Sequence, residues 1–363
     1  MRLFFLPLLL LFLLAARLAP AQTIQTEAAQ AYWRLTDALR RDEPLTNAAW
    51  QQFLALPDNK VYVEAVWGSD TASVSRYRRA IEVVYRPRYD SLRQAKIKAG
   101  SWYYILVNHY KEQEADDRAF LALMAQNPTY LESMYTLAYE YLPARDHYKV
   151  QNLHLAYVAL GNDATSQQAG IVFSIRDARD QLRLKPGILE AHEMHHRLRS
   201  TKDWHLVAAD ESLLTALYMT LNEGTADLID KRVALEQQAD TAEASQLRRW
   251  LLRPAPKVIH QLDSTICVQA TGGPATSLRF YRGLTNGTNG HLPGFFMAYT
   301  ILQNGLLQSL LAHANDPLAF ALLYQQAAKK DQRHQHPPTF SPRAERYLRR
   351  LARQYAKSHP AAS

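Results

Sequence analysis

Residues 192–196 read His-Glu-Met-His-His, an H-E-x-x-H pattern with His192, Glu193 and His196 in its fixed places. The pattern constrains the fold because it works only as a helix. On a helix, positions i and i+4 share one face, so the two imidazoles can grip a single zinc ion. Glu193 then stands beside the metal, where a carboxylate can take a proton from water. The flanking sequence suits a helix. Lys185-Pro186-Gly187 precedes the run, and proline is tolerated in a first helical turn. Ile188, Leu189, Ala191 and Leu198 supply apolar positions, and Arg197 and Arg199 favour a C-terminal end. Ser200-Thr201-Lys202-Asp203 reads as the exit. His195 is one step off the ligand face and is expected to point away from the metal.

A third ligand follows in Leu221-Asn222-Glu223-Gly224-Thr225-Ala226-Asp227. Glu223 lies 27 positions after His196, behind an apolar helical stretch from Glu211 to Leu221. It can complete a His/His/Glu set and leave the fourth zinc position open, as a catalytic site needs. Asp227, four residues on, shares its helix face. Its carboxylate can accept the free ring N–H of one ligand histidine and fix the tautomer. The chemistry implied is metal-assisted hydrolysis with Glu193 as general base. The developing oxyanion needs a further donor. Tyr218, His260, His291 and Tyr299 are candidates. His291 and Tyr299 are favoured, because 291–300 joins polar donors to Gly294 and an apolar helix start, as in a loop entering a cleft.

The pairing of H-E-x-x-H with N-E-G-x-A-D, carried by His192, Glu193, His196, Asn222, Glu223 and Asp227, resembles the gluzincin group of zinc metallopeptidases. In that group the second zinc helix carries a glutamate ligand, often followed four positions later by aspartate. The wider arrangement resembles a family of bacterial secreted proteins described only as zinc-dependent peptidases. It has a helical N-terminal part around Trp50 and Phe53, and a late His-Leu-Pro-Gly-Phe-Phe-Met-Ala-Tyr segment at 291–299. Metzincins are excluded, since their longer motif needs glycine where Arg199 stands and histidine where Lys202 stands. The Gly-x-Met-Glu-Asn motif of the large gluzincin aminopeptidases is absent, which puts that specificity in doubt.

The rest of the chain reads as α+β, mainly α: a zincin-like core with a small sheet and two zinc helices, flanked by helical parts. Leu153–Leu160 and 170–175 are predicted strands by their apolar and branched content. A strand running past a zinc helix would offer a backbone edge to an extended substrate. Helices are expected over Thr26–Arg41, Ala48–Leu56 with Thr46 or Asn47 as cap, Tyr77–Tyr110 with a break at Pro87, and Arg118–Leu142 with a break at Pro128. Further helices are expected over Thr241–Leu252, Gly294–Ala312 and Pro317–Lys330. Thr271–Gly290, rich in Gly, Thr and Asn, is expected to be a loop bordering the cleft. His334 and His336 beside Pro337-Pro338 are expected in another.

Met1-Arg2, an apolar Leu3–Leu14 and Ala19-Pro20-Ala21 together read as a secretory signal over 1–21, with no cysteine that could carry a lipid. The division expected is then a helical N-terminal part over 22–150, a metallopeptidase core over 151–328 and a basic C-terminal helix or tail over 329–363. A bacterial secreted or periplasmic protein is implied. Cys267 is the single cysteine, so no internal disulfide can form. The formal charge of +8 is concentrated in 329–363, with nine Lys/Arg against two Asp/Glu. The remainder of the chain after the signal is near neutral, which argues against a nucleic-acid footprint. Leu348, Leu351 and Tyr355 give Arg343–Lys357 an amphipathic stripe. That stripe fits a helix packed on the body, or one touching an anionic envelope surface. Peptides or proteins are the expected substrates. Two alternatives stay open: a helical envelope protein with a structural or degenerate zinc site, and a zinc amidase acting on cell-wall peptides.

Overall fold

A computed structural model describes residues 23–68, 70–202, 204–237, 241–285, 287–331 and 336–357. The expected signal segment, Asp203 of the expected helix exit and His334 lie outside the described residues. The fold is α+β and mainly helical, with one small sheet. The chain separates into two compact units. One takes Met1–Thr129 with Lys149–Asp180, and the other takes Tyr130–Tyr148 with Gln181–Ser363.

The first unit holds the sheet: β1 (Thr23–Gln25), β2 (His154–Val158), β3 (Ala164–Gln167) and β4 (Gly170–Ser174). Their order is β1-β2-β4-β3; β2 runs parallel to β1 and β4, and β3 is antiparallel to β4. The two strands legible in the sequence, β2 and β4, are the interior pair. Burial on both faces explains their unbroken apolar runs. Neither has a free edge, so the expected substrate-binding edge is not theirs. The edges are β1 and β3, and β3 (Ala-Thr-Ser-Gln) is too polar to read as a strand. Helices α1 (Glu27–Arg40), α2 (Asn47–Leu54), α3 (Thr71–Tyr85) and α4 (Trp102–Glu112) build the rest of this core. Thr46 caps α2 by accepting the Ala49 N–H at 3.1 Å. α3 ends where Arg86, the residue before Pro87, turns extended. Tyr32, Tyr77, Tyr85 and Tyr110 are fully buried. Such rings need partners for their hydroxyls: Tyr77 donates to Ala159 O and Tyr110 to Gly161 O, both at 2.9 Å.

The second unit is helical. Its elements include α5 (Ile188–Leu198), α6 (Ala208–Ala226), α7 (Lys231–Gln237), α8 (Ala255–Ala270), α9 (Leu278–Leu284), α10 (His291–Gln303), α11 (Leu307–Ala312), α12 (Pro317–Lys330) and α13 (Pro342–Lys357). Two expectations are corrected. The segment Thr271–Gly290 is not all loop: Ser277 accepts the Phe280 N–H at 3.3 Å and caps the short α9. The helix expected over Gly294–Ala312 runs regularly after a kink at Leu292 (φ −104, ψ 115) and is cut between α10 and α11. Gly305 there adopts φ +73, which a helix cannot absorb.

Three glycines bring α6 and α10 into backbone contact. A Cβ on Gly224 would stand 2.3 Å from Gly294 O, and one on Gly294 would stand 2.3 Å from Thr220 O. Gly290, at φ +111, lies so close to α6 that its Cβ would be 2.4 Å from Met219 O. No larger residue fits at these crossings, and the contact fixes where α10 begins. The C-terminal α13 is part of this unit's core rather than a tail. Ala344, Tyr347, Leu348, Leu351 and Tyr355 are buried. The hydroxyls of Tyr347 and Tyr355 donate to the two carboxylate oxygens of Asp210 on α6 at 3.2 and 2.8 Å. No helix among the described residues is long and apolar enough to cross a membrane.

Candidate metal centre

The helix α5 is buried from Ile188 to His195, so its polar residues must find partners inside the unit. His192 and His196, one turn apart, face each other with their Nε2 atoms 3.2 Å apart. From α6, Glu223 brings Oε2 to 3.3 Å from His196 Nε2 and 3.7 Å from His192 Nε2. Two ring nitrogens facing each other cannot both act as acceptors without a shared proton or cation. Ligand atoms at zinc distance from one tetrahedral centre lie about 3.4 Å apart. The three separations match that spacing, and two imidazoles with one carboxylate are an ordinary zinc donor set. The residues therefore fit the metal, and His192, His196 and Glu223 would hold it.

The electrostatics agree. Burial alone would raise the Glu223 pKa, but His196, His192 and His291 around it hold it well below the usual carboxylate range. Burial would lower that of His192, yet the Asp230 carboxylate draws it well above the ordinary value. A carboxylate kept ionised beside imidazoles is a ready cation ligand. Glu193, between the two histidines in sequence, is 9 % exposed. His195 is fully buried and directs Nε2 to the Tyr141 carbonyl at 3.3 Å, apart from the other rings' convergence.

The supporting residues are partly those expected and partly not. Asp227 lies 3.8 Å from His192 Nδ1, beyond hydrogen-bond reach. The contact expected of it is made by Asp230, whose Oδ1 is 3.1 Å from His192 Nδ1. Asp227 instead takes His291 Nδ1 at 2.9 and 3.0 Å, and the Lys231 ammonium at 2.5 Å. Lys231 also reaches Asp230 at 3.3 Å and offsets both buried carboxylates. His192, Asp227 and His291 form a second trio of close ligand atoms. Its carboxylate is already met by donors, which leaves the first trio as the better metal holder. A further chain orients Glu223. Arg199, buried under the Ala314 carbonyl and over the Tyr218 ring, donates to Asn222 Oδ1 at 2.6 Å. Asn222 Nδ2 then donates to Glu223 Oε1 at 3.2 Å, leaving Oε2 for the histidines. From the sequence Arg199 reads only as a helix-end residue, and Asp230 and Lys231 carry no signal.

The four oxyanion candidates separate. His291, at the start of α10, has Nε2 3.4 Å from Glu223 Oε2 and belongs to the cluster. Tyr299, two turns further on, donates to Glu236 at 3.3 Å and faces another cavity together with His260. Tyr218 packs under Arg199. Of the four, the structure gathers only His291 with the metal residues.

A sequence model of the family described as "Putative zinc dependent peptidase (DUF5700)" matches residues 50–333. No curated protein and no solved structure matches the chain significantly.

Proposed function

The chain belongs to that family, and from this premise we propose that it is a secreted zinc metallopeptidase of gluzincin type. The observation that carries the reading is the convergence of His192 Nε2 and His196 Nε2, on the helix that also carries Glu193 next to His192, with Glu223 Oε2. When bound, zinc supplies a Lewis acid that acidifies water and polarises a scissile carbonyl. Glu193 is the base that takes the proton from the attacking water at a carboxylate oxygen and returns it to the leaving amine. His291 gives its Nδ1 hydrogen to Asp227 and keeps Nε2 at the cluster, where, with both ring nitrogens protonated, an Nε2–H would donate to the developing oxyanion. Asp230 and Asn222 hold His192 and Glu223 in their ligand orientations. Secretion rests on the N-terminal signal pattern, and the exposed arginines of α13 suit contact with an anionic envelope surface.

The test compares the protein lacking residues 1–21 with its Glu193→Gln variant, for zinc content and for cleavage of an unstructured protein. Both should hold about one zinc per chain. The variant should lose about 10²–10⁴-fold in rate, the contribution of a positioned base. Absence of zinc from both would mean the ligand set is wrong. Zinc in both without cleavage of protein or cell-wall peptides would favour a structural site.

A further inference from the structure

The second unit also holds a cavity of 830 Å³ with a mixed polar and apolar lining that includes two arginines. Its volume lies within the usual range of ligand sites. Arg248 and Arg253 border it at the two ends of a π-helical turn over Arg248–Leu252. The Arg253 N–H donates to Arg248 O at 2.8 Å, the i to i+5 bond that widens such a turn. The widening brings residues five apart toward one side, so both guanidiniums border the same space. Single π turns recur at functional sites. His260, His336, Tyr299 and Gln303 add imidazole, hydroxyl and amide groups, and Asp331 is the one acid among the described lining residues. Glu236, on the Tyr299 hydroxyl, is already paired with Arg232 at 2.6 Å.

Two elements run from the metal residues to this cavity. α7 begins at Lys231, on Asp227, and brings Leu235 into the lining. α10 carries His291 at its start and, beyond a kink at Leu292, brings Tyr299 into the lining. We propose that the cavity anchors a carboxylate of the peptide substrate, away from the bond that is cut, through Arg248 and Arg253. Paired guanidiniums recognise carboxylates by charge-assisted, often bidentate bonds. The proposal rests on the peptidase reading for its substrate, but its binding chemistry stands apart from the metal.

The experiment is calorimetric binding to the zinc-loaded Glu193→Gln protein, which holds peptides without cutting them. Three acetylated alanine hexapeptides serve as probes: one with a free C-terminal carboxylate, one amidated with glutamate last, one amidated with glutamine last. One or both carboxylate peptides should bind about ten- to a hundredfold tighter than the neutral one. The tighter of the two identifies the source as chain terminus or side chain. Adding Arg248→Gln with Arg253→Gln should abolish the difference, and lysine at both positions should restore part of it, with unchanged thermal midpoints. Equal binding of the three peptides, binding of none, or a preference that survives the glutamine variants overturns the proposal. Cleavage assays on the zinc-loaded wild-type protein keep the two readings distinct. A preference in the variant, with no cleavage by the wild type, sinks the peptidase reading and leaves the carboxylate site. Cleavage without any preference does the reverse.

Discussion

Asp230 does for His192 what the sequence assigns to Asp227, and the reason lies in where the helix stops. α6 ends at Ala226, and the chain turns through Leu228–Asp230 before α7. Helical spacing places Asp227 on the face of Glu223, but past the last turn spacing no longer says where a side chain points. The turn puts Asp230 against the imidazole and hands Asp227 to His291 and Lys231. His192, Glu193, His196 and Glu223 are legible because they sit within continuous helix. His291 reads only as one of two favoured candidates, since more than sixty residues separate it from Glu223 and only tertiary packing joins them. A partner that orients a ligand histidine is worth about 10–100-fold in metal affinity. Asp230→Ala should therefore weaken zinc binding by about that factor in competition with a chromogenic chelator. Asp230→Asn should lose less, because its amide oxygen still accepts from Nδ1. Equal affinity in Asp230→Ala and wild type would remove Asp230 from this role.

At the scale of elements, the crossing of α6 and α10 sets the centre's geometry. Gly224 directly follows the proposed ligand Glu223, and a Cβ on it would stand 2.3 Å from Gly294 O, so glutamate and histidine are registered by glycines. Gly224→Ala must push the helices apart, because the atom in the way is a main-chain oxygen at 2.3 Å. Overpacking of this kind costs about 1–3 kcal/mol, a fall in Tm of about 2–4 °C for each kcal/mol in a chain of this size. Gly283→Ala is the control: it lies in α9 with nothing within 4 Å of a Cβ, and should leave Tm unchanged or slightly raised. A Gly224→Ala protein as stable as this control, with full zinc content, would show that the crossing does not govern the site. Elements were legible where one force dominates. Fully buried β2 and β4 announce themselves by apolar runs, and α2 by its threonine cap. The polar edge strand β3 and the seven-residue α9 carry too little apolar signal, and their placement depends on neighbours far away in sequence.

For the whole molecule, the uneven charge makes the strongest demand. The formal +8 is concentrated toward the C-terminus, and the structure turns much of that excess into one helix face. α13 buries Tyr347, Leu348, Leu351 and Tyr355 and exposes Arg343, Arg346, Arg349, Arg350 and Arg353. Arg349 is paired with Glu345 at 2.8 Å, and Arg350 lies over the Tyr347 ring at 4.6 Å. Arg343, Arg346 and Arg353 add a basic field to that face. Because the apolar side is spent on the core, any contact with an envelope must be electrostatic and salt-sensitive. At about 0.15 M salt the Debye length is about 8 Å, enough for a helix face lying on a charged surface but not for longer reach. The protein lacking residues 1–21 should therefore cosediment with phosphatidylglycerol vesicles at low ionic strength and be released at about 0.5 M salt. It should ignore phosphatidylcholine vesicles throughout. Arg343→Gln with Arg346→Gln and Arg353→Gln should abolish the cosedimentation while preserving Tm, since none of the three is buried. Undiminished binding by that variant, or binding that persists in high salt, would move the contact away from α13.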